Sequence, residues 1–441
     1  MDQLTLSRIN QLIRREVVPA TGCTEPACVA LAVAYAVALL PQKVRDIEVW
    51  LSANMLKNAM GVGIPGTGQI GIPIAIALGA VLKAPERQLE LLDHFTQEDL
   101  NQANQMVEQG LMHTHLKDTP NLDKLYVEVI ARDNAGHKAR SVIERTHISL
   151  KELQLDGEDR LPKQEEGTFV GCSETIQQVT SINEEDIPLT FSLVYEYATQ
   201  APLEDIDFIY EAAQQNKRVG EYALKGNFGH GVGKLIQGDM GQKFFGSSPL
   251  AHMLSYTSGA CDARMDGAPV TVMSNSGSGN QGITATLPVL TFAESQGCDR
   301  ERTTRALMMS GLLVVYIKQL LGRLSCLCGM VVSGIGSSAA IVYLMGGTKE
   351  QSSYAIKNMI GNVTGMICDG AKPSCSLKAS TGICSGLIAA MMAMQNNYVK
   401  VVEGIVEDDI DDCIRTLAEI GRDGMLETDR KVLEVMTNKK K

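Results

Sequence analysis

Four cysteines in the second half of the sequence could together bind a metal cluster. Cys326 and Cys328 lie in an apolar, glycine-rich run, and Cys368 and Cys375 lie seven residues apart with a glycine and a proline between them. Because glycine and proline favour turns, the chain can loop round and direct both sulfurs at one point. Iron–sulfur clusters are held by thiolates, usually four, and three ligands leave one iron open for a substrate. Buried cysteine also packs as a small hydrophobic residue, and spacing alone leaves both interpretations open.

A further cysteine, Cys23, lies in an N-terminal loop. It precedes Thr24 and Glu25, either of which can begin a helix. The positive end of a helix favours a thiolate, so Cys23 is a candidate base or nucleophile. Cys28 falls inside the apolar helix predicted next and is expected to pack there.

A loop rich in hydroxyl and amide side chains, SNSGSGNQG, begins at Ser274 and precedes an apolar helical run. Its side chains and bare backbone N–H groups can hold a small carboxylate. A flexible connection would have the same residue types, so both interpretations stay open.

Two other motifs favour no ligand site. The segment FGHGVGKLI at 228–236 has a misplaced first glycine and no Ser or Thr after its lysine, unlike a phosphate-binding loop. His113 and His115 share one face of a predicted strand, but no cysteine or carboxylate cluster lies beside them in the sequence. They are expected to be surface residues.

The composition argues against several function classes. The 441 residues carry a net charge of -11, so nucleic acid is not expected as a partner. Eleven cysteines are too sparse for a secreted disulfide scaffold, and residues 1–15 have no secretory pattern, which predicts a cytoplasmic protein. The uncharged run 324–347 is long enough to span a membrane. Its Gly, Ser and Cys content instead predicts a buried helix broken at Gly334 or Gly336, and no membrane partner.

The chain changes character near residue 150. Before it, the patterns predict helices at 5–16, 27–40, 72–82 and 97–108, a strand at 46–52 and a hairpin within 125–148. From about residue 184 onward, helical spacing predominates. We therefore predict an α+β fold with an N-terminal α+β domain at 1–150, a charged linker at 151–167 and a larger all-helical catalytic domain at 168–441.

Six stretches of the sequence resemble the bacterial and archaeal L-cysteine desulfidases. They are GCTEPACVALA (22–32), KNAMGVGIPGTG (57–68), DARMDGA (262–268), SNSGSGNQGITAT (274–286), RLSCLCG (323–329) and MICDGAKPSCSLKASTG (366–382). Strings this long and specific do not arise by chance, and the resemblance runs from about residue 15 to the final helix. More distantly, the chain is similar to iron–sulfur L-serine dehydratases, in which a small α+β domain precedes a helical catalytic domain.

The resemblance implies a [4Fe-4S] cluster and assigns roles to individual residues. It places cluster ligands at Cys328, Cys368 and Cys375, the catalytic thiolate at Cys23, and substrate contacts at Arg264, Ser278, Asn280 and Lys378. Cys326 fits the family pattern less well as a ligand. The short segment between the last two ligands, with Cys-Asp-Gly in place of the dehydratases' Cys-Asp-Pro, favours the desulfidase branch.

The implied reaction is β-elimination of L-cysteine to pyruvate, ammonia and hydrogen sulfide. A base, here Cys23, must take the Cα proton, while an open iron acts as the electrophile and Arg264 or Lys378 pairs with the carboxylate. A homo-oligomer is compatible with the glycine-rich helices.

Four other functions remain open on sequence grounds. They are an iron–sulfur L-serine dehydratase-like deaminase, a non-catalytic iron–sulfur sensor, a membrane transporter, and a pyridoxal-phosphate lyase. The last would leave the cysteine set without a role.

Overall fold

The chain combines one six-stranded sheet with a large helical part, which confirms the predicted α+β fold. The computed structural model describes residues 1–119, 122–161, 186–364 and 366–439. The helices are α1 (Gln3–Glu16), α2 (Thr24–Ala38), α3 (Ala53–Ala59), α4 (Ile72–Leu82), α5 (Gln97–Glu108), α6 (Phe191–Gln200), α7 (Leu203–Ile206), α8 (Phe208–Lys225), α9 (Val232–Gln237), α10 (Asp239–Phe245), α11 (Pro249–Met265), α12 (Gly279–Ser295), α13 (Arg300–Leu321), α14 (Gly329–Leu344), α15 (Lys349–Val363), α16 (Cys375–Met394), α17 (Ile410–Glu419) and α18 (Leu426–Thr437). The strands are β1 (Pro19–Thr21), β2 (Val44–Leu51), β3 (Gly63–Ile64), β4 (Gln69–Ile70), β5 (Met112–Leu116), β6 (Tyr126–Asp133), β7 (Lys138–Glu144), β8 (Leu150–Leu155), β9 (Glu158–Asp159) and β10 (Thr271–Met273).

The six-stranded sheet has the order β5-β2-β6-β7-β8-β9. Strand β2 pairs parallel with β5 and antiparallel with β6, and β6 and β7 form the predicted hairpin. Alternate residues of a strand face the same side, and Val127, Val129 and Ala131 of β6 are fully buried against α2. This packing fixes the position of α2, whose first residues reach the site described below.

The sheet extends beyond the domain boundary predicted at residue 150. Strand β8 pairs antiparallel with β7, and β9 pairs with β8. The predicted linker at 151–167 therefore begins inside a strand. The sequence did not predict this strand because its residues are mostly polar or charged. Leu153 is buried, whereas its neighbours Glu152 and Gln154 are only partly buried. Residues 162–167 lie outside the described residues.

Helix α14 lies at the centre of the helical part, packed against α12, α13, α15 and α16. It is continuous, so the predicted break at Gly334 or Gly336 does not occur. A Cβ atom at Gly334 would lie 3.2 Å from the carbonyl oxygen of Gly382 in α16. One at Gly336 would lie 2.7 Å from that of Ser310 in α13. These glycines let neighbouring helix backbones approach closely instead of ending the helix.

The two parts of the chain are interlocked. Helix α1 precedes the sheet in sequence, yet its Ile9 and Ile13 pack in the core of the helical part. Strand β1 pairs antiparallel with β10 of the helical part. At the other end of the chain, Leu433 of α18 joins the core under the sheet, and Asp429 forms an ion pair with the buried Lys57. The N-terminal helix therefore packs in the helical part, and the C-terminal helix packs against the sheet part.

Two helices, α13 and α16, are long and apolar enough to cross a membrane by length and composition. In α13, 83% of the apolar window is buried inside the protein, as in a core helix, against 44% in α16. The uncharged run 324–347, which is long enough to span a membrane, contains α14. Most residues of this helix are buried.

Candidate active site

A cavity of about 120 Å³ lies where the two parts meet, and four helices begin at its wall. Cys23, Ser278 and Cys328 are the capping residues of α2, α12 and α14, and Cys375 is the first residue of α16. The N-terminal end of a helix carries a partial positive charge. Four such ends around one cavity favour anionic ligands and thiolates.

A backbone bridge holds the segments of two predicted cluster ligands together. Leu327 and Ile367 form this antiparallel bridge. The backbone N–H of Cys368 donates to the carbonyl of Cys326 at 2.7 Å, and that of Cys328 donates to the carbonyl of Met366 at 3.1 Å. Cys328 and Cys368 each follow a bridged residue, and both line the cavity.

A sharp turn at Gly370 carries the chain from Cys368 to Cys375. Gly370 has a φ of +90°, and a Cβ atom there would lie 2.1 Å from the carbonyl oxygen of Lys57. Only glycine fits this position, because both the left-handed backbone and the contact exclude a side chain. The turn lets Cys375 reach the cavity that Cys368 also lines.

The three thiols form a donor set suited to a cluster. Cys328 and Cys375 are buried, Cys368 is half-buried, and burial raises the pKa of Cys328 to about 12. Among the described residues, no group of three or more His, Cys, Asp or Glu side chains is placed to hold a single metal ion. A four-iron cluster binds each thiolate through a separate iron, so its ligands need not converge on one point. Three soft thiol donors that line one cavity have the chemistry that a cluster requires. Cys326 lies outside the cavity wall.

Cys23 lines the same cavity, beside Arg264 and Cys375. Burial raises the pKa of Cys23 to about 11, and the neighbouring Arg264 guanidinium offsets this only in part. Burial therefore opposes the predicted thiolate, whereas the Arg264 charge favours it. The helix end that was expected to lower the pKa also carries Glu25, whose charge raises it.

The polar loop and Arg264 form a second part of the wall. The guanidinium of Arg264 is buried and donates to the carbonyl of Gly22 at 2.6 Å and to the Asn280 side-chain oxygen at 3.1 Å. Ser278 caps α12 by accepting from the Gln281 backbone N–H at 3.4 Å. Arg264, Ser278 and Asn280 were each predicted to contact substrate, and all three line the cavity.

Unpaired polar atoms concentrate around this cavity. Ten buried side-chain nitrogen or oxygen atoms in the described residues have no hydrogen-bond partner, and five of the ten belong to residues of its wall: Asn58 Oδ1, His147 Nε2, Arg264 Nε, Gln281 Oε1 and Arg323 Nε. Buried polar groups in proteins are normally hydrogen-bonded. Several unpaired polar groups in residues of one cavity wall favour a polar ligand in that cavity.

Comparison with known proteins decides the family. Residues 86–434 match the family model described as serine dehydratase alpha chain. The chain belongs to the serine dehydratase alpha-chain family. It is also 53% identical over 440 residues to a UPF0597 protein of Porphyromonas gingivalis, 51% identical over 440 residues to one of Parabacteroides distasonis, and 50% identical over 434 residues to one of Bacteroides thetaiotaomicron. The first two comparisons cover 100% of both chains and the third covers 98%.

Membership of the serine dehydratase family supports a lyase or deaminase at this cavity, and the family is generally iron–sulfur dependent. The family match covers α12, α14 and α16, which carry Ser278, Cys328 and Cys375. It begins after α2, so Cys23 lies outside the matched range.

The structure does not bring Lys378 to the cavity of this dehydratase-family protein. Lys378 donates to the carbonyl of Ile367 at 2.8 Å and forms an ion pair with Asp369. It therefore braces the loop that carries Cys368. Its ammonium group is paired with Asp369, and the substrate contact of Lys378 stays a prediction.

Several wall residues escaped the sequence analysis. Glu25 and Arg323 lie inside the motifs that carry the resemblance, so their motifs were found although their roles were not. Lys318 belongs to α13, and burial lowers its pKa to about 8. His147 follows strand β7, where no local pattern distinguishes it from a surface residue.

A larger cavity of about 380 Å³ adjoins the first. The two share Thr24, Arg264 and Gly277 in their walls. In the larger cavity, burial raises the pKa of Asp93 to about 6. Arg264 therefore borders both cavities.

Proposed function

We propose that this protein is an L-cysteine desulfidase that uses a [4Fe-4S] cluster to convert L-cysteine into pyruvate, ammonia and hydrogen sulfide. Cys328, Cys368 and Cys375 would hold the cluster. When bound, the cluster would supply an open iron that acts as a Lewis acid on the substrate.

One observation carries the proposal. Half of the unpaired buried polar atoms in the described residues belong to residues that line the same cavity as the three thiols. Their chemistry matches a small zwitterion. Arg264 and Arg323 each have a free guanidinium N–H for a carboxylate, and Glu25 is the carboxylate available to an ammonium group among the described wall residues.

Glu25 is held in place for this task. Its side chain accepts from the Asn58 amide at 3.0 Å and from the Thr24 hydroxyl at 3.2 Å. Arg264 is held by its two hydrogen bonds, and the guanidinium of Arg323 donates to Glu16 at 2.9 Å. These anchors fix the charged groups before substrate arrives, so little ordering is required on binding.

Cys23 is the proposed catalytic thiol. It lies beside Cys375, a proposed cluster ligand, and would therefore act close to the bond that the cluster activates. Loss of sulfide gives aminoacrylate, which takes up water to form pyruvate and ammonia. Burial of the thiol in the cavity wall keeps bulk water away from the reacting atoms.

L-serine is the second candidate substrate, because the family model that matches is a serine dehydratase. Its hydroxide is a poorer leaving group than sulfide, while the carboxylate and ammonium contacts are the same for both amino acids. The short Cys368–Cys375 turn supports the desulfidase branch, as the sequence resemblance implies.

The deciding experiment is anaerobic purification followed by iron, acid-labile sulfide and pyruvate assays on the same preparation. We expect about one four-iron cluster per chain and a higher kcat/KM for L-cysteine than for L-serine. A ratio in favour of serine would assign the chain to the deaminases. Cluster without pyruvate from either amino acid would indicate a sensor, and activity in iron-free protein would contradict the proposal.

A further inference from the structure

His147 places an unpaired imidazole nitrogen at the cavity wall. The residue lies between β7 and β8, on the sheet side of the cavity. Its Nε2 atom is buried and has no hydrogen-bond partner in the described residues. Because the imidazole nitrogens of a buried histidine normally find partners, this one indicates contact with a molecule that enters the cavity.

The charged neighbours of His147 come from two other elements. Glu25 at the start of α2 and Arg323 before α14 both act on the ring, and Lys318 of α13 lines the same cavity. Burial lowers the pKa of His147, Arg323 lowers it further, and Glu25 raises it. An imidazole with a lowered pKa is neutral near pH 7 and can accept a proton.

The position of His147 relates it to one atom of the substrate. Glu25 is the proposed partner of the ammonium group, and that group is attached to Cα itself. The Glu25 charge acts on the ring, so a base at this position would lie near Cα. The same charge also reaches Cys23, which lies beside Arg264 and Cys375. The two residues differ in their partners, because the Cys23 thiol interacts with Arg264 whereas Nε2 of His147 has no partner in the described residues.

On the basis of the proposed function, we infer that His147 is the general base that removes the Cα proton. Nε2 takes the proton, the C–H electron pair forms the Cα–Cβ double bond, and the Cβ–S pair leaves with sulfur as HS⁻. The imidazolium then returns its proton to HS⁻, so the products are H₂S and aminoacrylate and the histidine is restored. This step is the one that the sequence assigned to Cys23.

Proton exchange with a substrate that cannot eliminate isolates this step. L-Alanine has a Cα proton and no leaving group, so its exchange in D₂O, followed by NMR, measures abstraction alone. We expect His147→Gln to slow the exchange by about a hundredfold or more. Cys23→Ser should keep the exchange while losing most L-cysteine turnover. His113→Gln, which alters an exposed histidine of β5, should change neither.

Three further readings complete the test. His147→Gln should retain wild-type iron content, and the NMR signal that it removes from iron-free protein should titrate with a pKa below the usual value for histidine. Exchange at the wild-type rate in His147→Gln, no exchange in wild type, loss of iron, or a pKa at or above the usual value would each overturn the inference. Pyruvate release is scored separately. His147-dependent exchange without pyruvate would keep the base and overturn the proposed function.

Discussion

At the scale of single residues, the thiols at the cavity differ in how the chain holds them. Cys328 and Cys375 take their positions from the ends of packed helices, whereas Cys368 depends on a loop braced by Asp369 and Lys378. All three should be needed for a cluster, since thiolates bind iron far better than hydroxyls do.

We expect Cys328→Ser, Cys368→Ser and Cys375→Ser each to lower the iron content of anaerobically prepared protein, together with the visible absorbance. Cys326→Ser is the matched control, because Cys326 is 2% exposed and Cys328 4% exposed, yet only Cys328 lines the cavity. Equal iron loss in the control would show that burial, and not ligation, explains the effect.

The residue types of this site were partly predictable. Cys23, Arg264, Ser278 and Asn280 stand in long motifs, and the structure brings them to one wall. The protonation state of Cys23 was not predictable, because it depends on burial by segments distant in sequence. His147 carried no signal for the same reason.

At the scale of elements, the sequence predicted the helices and turns whose positions depend on residues nearby in the chain. Helices α4 and α5 have the predicted bounds, since Gly71 and Thr96 mark their starts and Thr96 forms a capping box. The β6–β7 hairpin follows from alternation around a short turn. The parallel pairing of β2 with β5 and the continuity of α14 depend on long-range packing, which no local pattern reports.

In the proposed cluster site, the position of Cys375 relative to Cys368 depends most on the turn at Gly370. We expect Gly370→Ala to lower both the melting temperature and the iron content, because the new methyl group would displace the loop from Lys57. Gly136→Ala is a matched control. Gly136 has a φ of +95° and no atom within 4 Å of the added Cβ, so it shares only the backbone strain of about 1–2 kcal/mol. Wild-type iron in Gly370→Ala would refute this role.

At the scale of the whole molecule, the ion pair between Lys57 and Asp429 fastens the last helix to the sheet part. Lys57 is 1% exposed and Asp429 16% exposed. Removing Asp429 leaves a buried ammonium group without its carboxylate, which typically costs about 3–5 kcal/mol.

We therefore expect Asp429→Ala to lower the free energy of unfolding by that amount in urea denaturation. Glu434→Ala breaks an exposed pair with Lys431 on the same helix and should change it by no more than about 1 kcal/mol. Equal effects of the two substitutions would mean that α18 does not fasten the two parts.

The pairing of β1 with β10 also fixes the order in which this protein can be completed. Cys23 lies two residues after β1, and β1 has no strand partner until residues 271–273 have been synthesised. Cys375 and the α18 anchor emerge from the ribosome later still. The cavity wall therefore closes only when translation is nearly finished. A cluster held by these thiols would be assembled on the released protein and not on the nascent chain.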